Sequence, residues 1–272
     1  MVTIAKGKFY HDNINIFYKS KRINQSNDAI QFIESKWRHF VANNPNSFNG
    51  TLFRVDGYNI QNNNNNSNLI ELRLSDTDYK EFVGTRDCEF VRRFGIQYTA
   101  NPLSVGAVLV TKDNKIVLGK RAEDIVDVGK SKVSVVAGYL DPKQDMVNSD
   151  AADDDNNNNI DIFSAVKREI YEETGIIEEK HIIDLMCMGL IANKENNQIN
   201  IPFYCKLNIP AKEFEVKNSS SSQKEFSKII IIDNSVQSID DFVSATENQL
   251  SDIIIPTLWI YKDLIQSTEG II

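Results

Sequence analysis

The clearest periodic stretch of the chain is 162–174, where Phe163, Val166 and Ile170 recur at helical spacing. Apolar residues three and four apart share one helix face, so an amphipathic helix is predicted, with Asp161 as N-cap and Gly175 at its C-terminal end. A second helix is predicted over 28–40 from Ala29, Ile30, Phe32, Ile33, Trp37 and Phe40, capped by Asp28. A short helix capped by Asp76 or Thr77 runs through Phe82 to Gly84, and a final one covers about 256–265. Residues 1–25 hint at one strand, at Ile14, Ile16, Phe17 and Tyr18. Segments 51–58 and 68–74 read as a strand pair around the tract Asn62 to Asn66. Segments 105–111 and 116–119 read as a hairpin. Further strands are predicted at 133–136, 181–190, 199–207 and 229–232, the last after a loop holding Ser219 to Ser222. Strands interleaved with helices give an α/β class.

Composition changes the picture little. With 272 residues, 41% hydrophobic and 25% charged, the chain suits one large domain, or an ordinary one plus a smaller one. Net charge is −8 with no basic stripe, which argues against nucleic acid as a partner. Cys88, Cys187 and Cys205 lack metal-ligand spacing and read as buried hydrophobes in a reducing compartment. No apolar run approaches a membrane span, and the N-terminus lacks a signal peptide's core. An intracellular, soluble, cytoplasmic protein is expected, with the nucleus left open. His11, His39 and His181 do not suggest a catalytic base.

Charge on the 162–174 helix carries the chemistry. Glu169, Glu172 and Glu173 stand at i, i+3 and i+4, bordered by Arg168. Like charges at that spacing repel. The cluster is either a solvated acidic face or a site for a hard divalent cation, which takes carboxylate and phosphate oxygens together. Arg, Glu, a Glu pair and a Gly at these spacings coincide by chance about once in 10^6 positions at average usage.

Residues Arg168 to Ile176 resemble the second half of the Nudix hydrolase signature at every fixed position. The signature glycine is most plausibly Gly138, in Val135-Val136-Ala137-Gly138-Tyr139-Leu140-Asp141-Pro142. Arg168 follows it by 30 residues (168 − 138), against 14 in the family pattern, so 16 are extra. They form a low-complexity Asp/Asn insertion at about 143–160. The early glutamate of the signature is missing. Gln144 or Ile160 stands at its two possible places, and Asp161 is the nearest acid.

The resemblance implies a mixed sheet sandwiched between helices from about residue 100 onward. It also implies Mg2+ (or Mn2+) held by Glu169 and Glu173 with Glu172 as a further ligand, and Arg168 orienting a carboxylate. Glu195, in Asn193-Lys194-Glu195-Asn196, is the matching general base, with an ordinary turn charge as the alternative. Glu173 is expected at the surface of a cleft.

Three further stretches resemble the eukaryotic UDP-glucose and UDP-galactose diphosphatases of that superfamily. They are Phe48-Asn49-Gly50-Thr51-Leu52-Phe53-Arg54, Asp78-Tyr79-Lys80-Glu81-Phe82-Val83-Gly84-Thr85 and Asn101-Pro102-Leu103-Ser104-Val105-Gly106-Ala107. That group implies an N-terminal α/β module, 1–100, helping a Nudix domain, 101–272, to bind a nucleotide-sugar. Phe48, Tyr79, Arg121 and Tyr139 would be the contacts; core packing and surface charge are the alternatives for the first three. Tyr139-Leu140 stands where the group has His-Pro, and a tyrosine cannot act as an imidazole base. The implied reaction converts a UDP-sugar to UMP and a sugar 1-phosphate. Rival readings are a pyrophosphatase acting on ADP-ribose, a dinucleotide or capped RNA, and a nucleotide-binding protein with weak turnover. The partner is a small nucleotide-sugar, with no nucleic acid or membrane; oligomeric state is open.

Overall fold

The computed structural model describes residues 1–62, 68–122, 131–146, 160–214 and 226–269. Among them, two sheets and their helices form a mixed α/β fold. The larger, eight-stranded sheet runs β1 (Val2–Phe9), β9 (Ile182–Ala192), β10 (Ile199–Leu207), β5 (Leu103–Val110), β6 (Lys115–Arg121) and β11 (Phe226–Asp233). Off that path, β7 (Val133–Ser134) pairs with β6, and β8 (Val136–Tyr139) pairs with β5. The smaller sheet runs β2 (Ile14–Tyr18), β4 (Asn68–Asp78), β3 (Thr51–Asn62).

β5 is the hub, and every one of its residues is buried. Val105, Ala107 and Leu109 enter one core while Val108 and Val110 enter the other, as alternation along a strand covered on both faces requires. One edge of β5 pairs in parallel with β10. The other edge takes β8 over 104–107 and β6 only at Leu109 and Val110. The hairpin expected from 105–119 is therefore held by two rungs. β7 and β8, parted at Val135, wedge between its arms and open the sheet there.

Helices cover both faces. α5 (Ile162–Thr174) and the smaller sheet share one core with β5, β9 and β10. α7 (Val236–Thr246) and α8 (Ile254–Glu269) close the other. α1 (Asn27–Asn43), α2 (Tyr79–Thr85) and α3 (Cys88–Phe94) follow the smaller sheet in a satellite cluster around Ile33 and Phe90. α4 (Pro142–Asp145) and α6 (Glu178–His181) are single turns.

Several expectations shift. The N-cap of α1 is Ser26, whose hydroxyl accepts from the Ala29 N–H; Asp28 falls in the first turn, where its charge suits the helix dipole. α2 is capped by Asp78 instead of Asp76 or Thr77. His181 ends α6 and accepts the Ile177 N–H on Nδ1. Residues 1–25 hold two strands, and the first joins the larger sheet beside β9. The tracts at 63–66 and 219–222 and most of the insertion at 143–160 lie outside the described residues. Among those described, no helix is long and apolar enough to cross a membrane.

Candidate active site

α5 has the bounds its periodicity predicts. Asp161 accepts the N–H groups of Phe163 and Ser164, and Gly175 closes the helix with φ of 70°. A left-handed residue there carries no Cβ penalty only if it is glycine. The helix buries Phe163, Val166 and Ile170, but the same side also buries Glu169 and Glu173. Both acids meet β8. Glu173 Oε1 accepts from the Ala137 N–H at 3.3 Å. Glu169 packs against Gly138 so closely that a Cβ on that glycine would overlap its carboxyl group. A Cβ at 138 would therefore push the Glu169 carboxyl group out of its place.

Arg168 gathers the acids. Its Nε and Nη2 donate to the two oxygens of Asp145, at 3.1 and 3.0 Å. Its Nη1 donates to Glu169 at 2.8 Å and to Glu172 at 3.1 Å. Burial alone would lower the Arg168 pKa; the hydrogen bond and charge of Asp145, with Glu169 and Glu172, outweigh it and hold the group above its ordinary value. The ion pairs set one guanidinium against three carboxylates. Of the three, Asp145 and Glu169 are buried, and Glu172 reaches solvent.

Asp145 is the residue sequence reading missed. It is buried, it anchors Arg168, and it also accepts the Asp141 N–H. Asp141 in turn accepts from the Thr51 hydroxyl, linking β3 to the cluster. The acid paired with Arg168 thus lies seven residues after Gly138, one past Gln144, at the start of the insertion. Asp161, the nearest acid by sequence, is occupied in capping α5. The signal available was Asp141-Pro142, which starts a turn of helix and brings Asp145 back toward the strand.

A cleft of about 520 Å3 opens beside this cluster at the wedge of the sheet. Of the residues singled out from sequence, Glu169, Arg121, Tyr139 and Glu195 line it. Glu195 sits in the turn between β9 and β10, where its N–H bonds the Asn193 side chain. The Tyr139 hydroxyl receives the Gln198 amide of the same hairpin at 3.4 Å. Phe48 and Tyr79 stand outside the lining. Phe48 is 79% exposed, and Tyr79 packs among Trp37, Phe40 and Phe82.

Arg168, Glu172 and Glu173 are likewise not among the residues that line the cleft. Glu173 is 1% exposed, a correction to its expected place at a cleft surface: the helix face it occupies is the one that packs on β8. The Glu172 side chain is 45% exposed and turned toward Arg168. Among the described residues no three His, Cys, Asp or Glu side chains meet as a ready-made metal cage. Sequence reading also missed Phe82, Arg86 and Lys132, which line the cleft. Phe82 and Arg86 arrive from α2 and its C-cap, across a long-range contact that no local pattern encodes.

Fold and site together define a mixed α/β protein with an acidic helix set against a cleft. No family model matches the chain. It is similar to Nudix hydrolase 9 of Arabidopsis thaliana, 29% identical over 166 residues, which are 53% of this chain and 52% of that protein. The chain therefore spans about half the length of this curated relative. Among solved structures, a Nudix hydrolase from Nitrosomonas europaea matches 58% of this chain and 86% of its own, with TM-score 0.36 and 16% identity. An ADP compounds hydrolase matches 61% and 74%, with TM-score 0.40 and 11% identity. An Ap4A hydrolase of C. elegans matches 61% and 98%, with TM-score 0.37 and 14% identity.

Proposed function

We propose that the protein is a Nudix hydrolase that uses Mg2+, or Mn2+, to cleave the diphosphate of a nucleoside diphosphate derivative. Within that class the reading is UDP-glucose or UDP-galactose, giving UMP and a sugar 1-phosphate. The observation that carries the reading is the gathering of Asp145, Glu169 and Glu172 around Arg168, with Glu169 facing the cleft.

The donor set fits a hard cation. Carboxylate oxygens are its preferred ligands, and Mg2+ is commonly held by one or two carboxylates plus substrate phosphates instead of a full protein cage. Glu169 and Glu173 are the residues that would hold it, with Glu172 within reach by rotation of an exposed side chain. Bound there, the ion supplies a lowered water pKa and charge neutralisation at the diphosphate. Arg168 holds Glu169 in place by a charge-assisted bond. Arg121 and Tyr139 line the cleft, where Arg121 would pair with a phosphate and Tyr139 would offer its ring edge or hydroxyl to the sugar or base. Glu195, which lines the cleft, would accept a proton from attacking water. The module that carries α2 adds Phe82 to the wall, consistent with an N-terminal unit that shares in binding.

A substrate panel with Mg2+, read by chromatography of the nucleotide products, tests the proposal. UDP-glucose and UDP-galactose are expected to yield UMP in excess of any turnover of ADP-ribose or a dinucleotide. Turnover of ADP-ribose with none of the UDP-sugars would refute the sugar assignment; no turnover of any diphosphate would refute the hydrolase.

A further inference from the structure

Arg86 is the C-cap of α2, and its guanidinium lies over two rings, 5.3 Å from the centroid of Phe82 and 5.8 Å from that of Phe40. It lines the cleft that also holds Glu169, Arg121 and Lys132. Its Nη1 is buried and makes no hydrogen bond among the described residues. None of their carboxylates lies within ion-pair distance of it. Stacking on aromatic faces fixes the plane of a guanidinium but leaves its in-plane N–H groups without acceptors. A buried donor in that state is costly unless something supplies an oxygen.

We propose that Arg86 binds a phosphate oxyanion of the substrate, so that α2 contributes a cation to the diphosphate site across the cleft from Glu169. This rests on the diphosphate reading above and extends it. Three basic side chains, Arg86, Arg121 and Lys132, then line a cleft shared with the acids Glu169, Glu195 and Asp252. A planar fork held by Phe40 and Phe82 meets a phosphate with two N–H groups and little loss of rotamer freedom. The assignment also explains why Phe82 and Arg86 come from the same helical turn: one sets the plane of the other.

Calorimetric binding of inorganic pyrophosphate, and separately of uridine, with EDTA present tests this without turnover. Arg86→Gln keeps the length and loses the charge; Arg86→Lys keeps the charge and loses the fork. Pyrophosphate affinity is expected to fall at least tenfold in Arg86→Gln and by an intermediate factor in Arg86→Lys, with uridine affinity unchanged. If Arg86→Gln is poorly folded by circular dichroism, the drop in Arg86→Lys carries the test. Unchanged pyrophosphate affinity in a folded variant overturns the proposal, as does a wild-type protein that ignores pyrophosphate. Loss of uridine binding alone also overturns it, in favour of a contact to the base. If pyrophosphate affinity falls as expected yet no nucleoside diphosphate is hydrolysed, Arg86 keeps its assignment and the hydrolase reading fails.

Discussion

Asp145 and Arg168 hold each other through two parallel N–H···O bonds, and the Asp145 side chain is only 2% exposed. Removing Arg168 strands a buried carboxylate. Breaking one half of such a pair costs about 3–5 kcal/mol, much of it the penalty of the charge left behind. Arg168→Ala is therefore expected to lose about 3 kcal/mol in urea unfolding. Arg168→Lys should recover part of it, since an ammonium lacks the bidentate fork. A loss below about 1 kcal/mol in Arg168→Ala would show that the pair does not organise the site. The sequence made Arg168 legible through its place among the glutamates. It left Asp145 illegible, because the partner is defined by where one turn of helix after Pro142 delivers it.

Among the elements, α5 was readable because its caps and its apolar spacing agree, and Asp161 and Gly175 mark its two ends. β10 has its predicted bounds for a similar reason: an apolar run set between polar turns. β1 was missed because its apolar positions change parity, from Val2 and Ile4 to Ala5 and Phe9, across a register shift between Thr3 and Ala5, which breaks the alternation of a strand. α7 was missed although its signal was legible: Val236, Ile239, Phe242 and Val243 recur at helical spacing behind the cap Ser235.

α2 matters most to the cleft, and it hangs on its cap. Asp78 accepts the Glu81 N–H and pairs with Arg22 at 2.7 Å. Burial would raise the Asp78 pKa; the Glu81 N–H, Arg22 and Asn49 outweigh it and hold it below the ordinary value of 3.8. A carboxyl with a depressed folded-state pKa binds fewer protons folded than unfolded, so its contribution is full above that ordinary value and is lost as pH falls through the folded one. Asp78→Ala is expected to cost about 1 kcal/mol at neutral pH. Its stability should fall less steeply than wild type below pH 3.8, measured by thermal unfolding against pH. Parallel curves for the two proteins would contradict this role.

Over the whole molecule, two cores on either side of β5 set what is accessible. Cys187 and Cys205 are buried on either strand beside each other in β9 and β10, and burial pushes both thiols up to about 12. Cys88 is exposed at the start of α3. Thiolate is the reactive form, so a native-state titration with a disulfide reagent near pH 8 should count one thiol, and three after denaturation. Three in the native state would mean the central sheet opens readily. The whole-molecule arrangement was the least legible level. Nothing local announces that β7 and β8 wedge the hairpin apart, yet that wedge makes the cleft and sets Gly138 under Glu169.

The central claim is that the acids gathered around Arg168 grip a divalent cation beside that cleft. Electron paramagnetic resonance of Mn2+ titrated into wild type, Glu169→Gln and Glu173→Gln tests it most directly. The account predicts saturable binding in wild type, weakened at least tenfold in each folded variant. Equal binding in all three, or none in wild type, would contradict it.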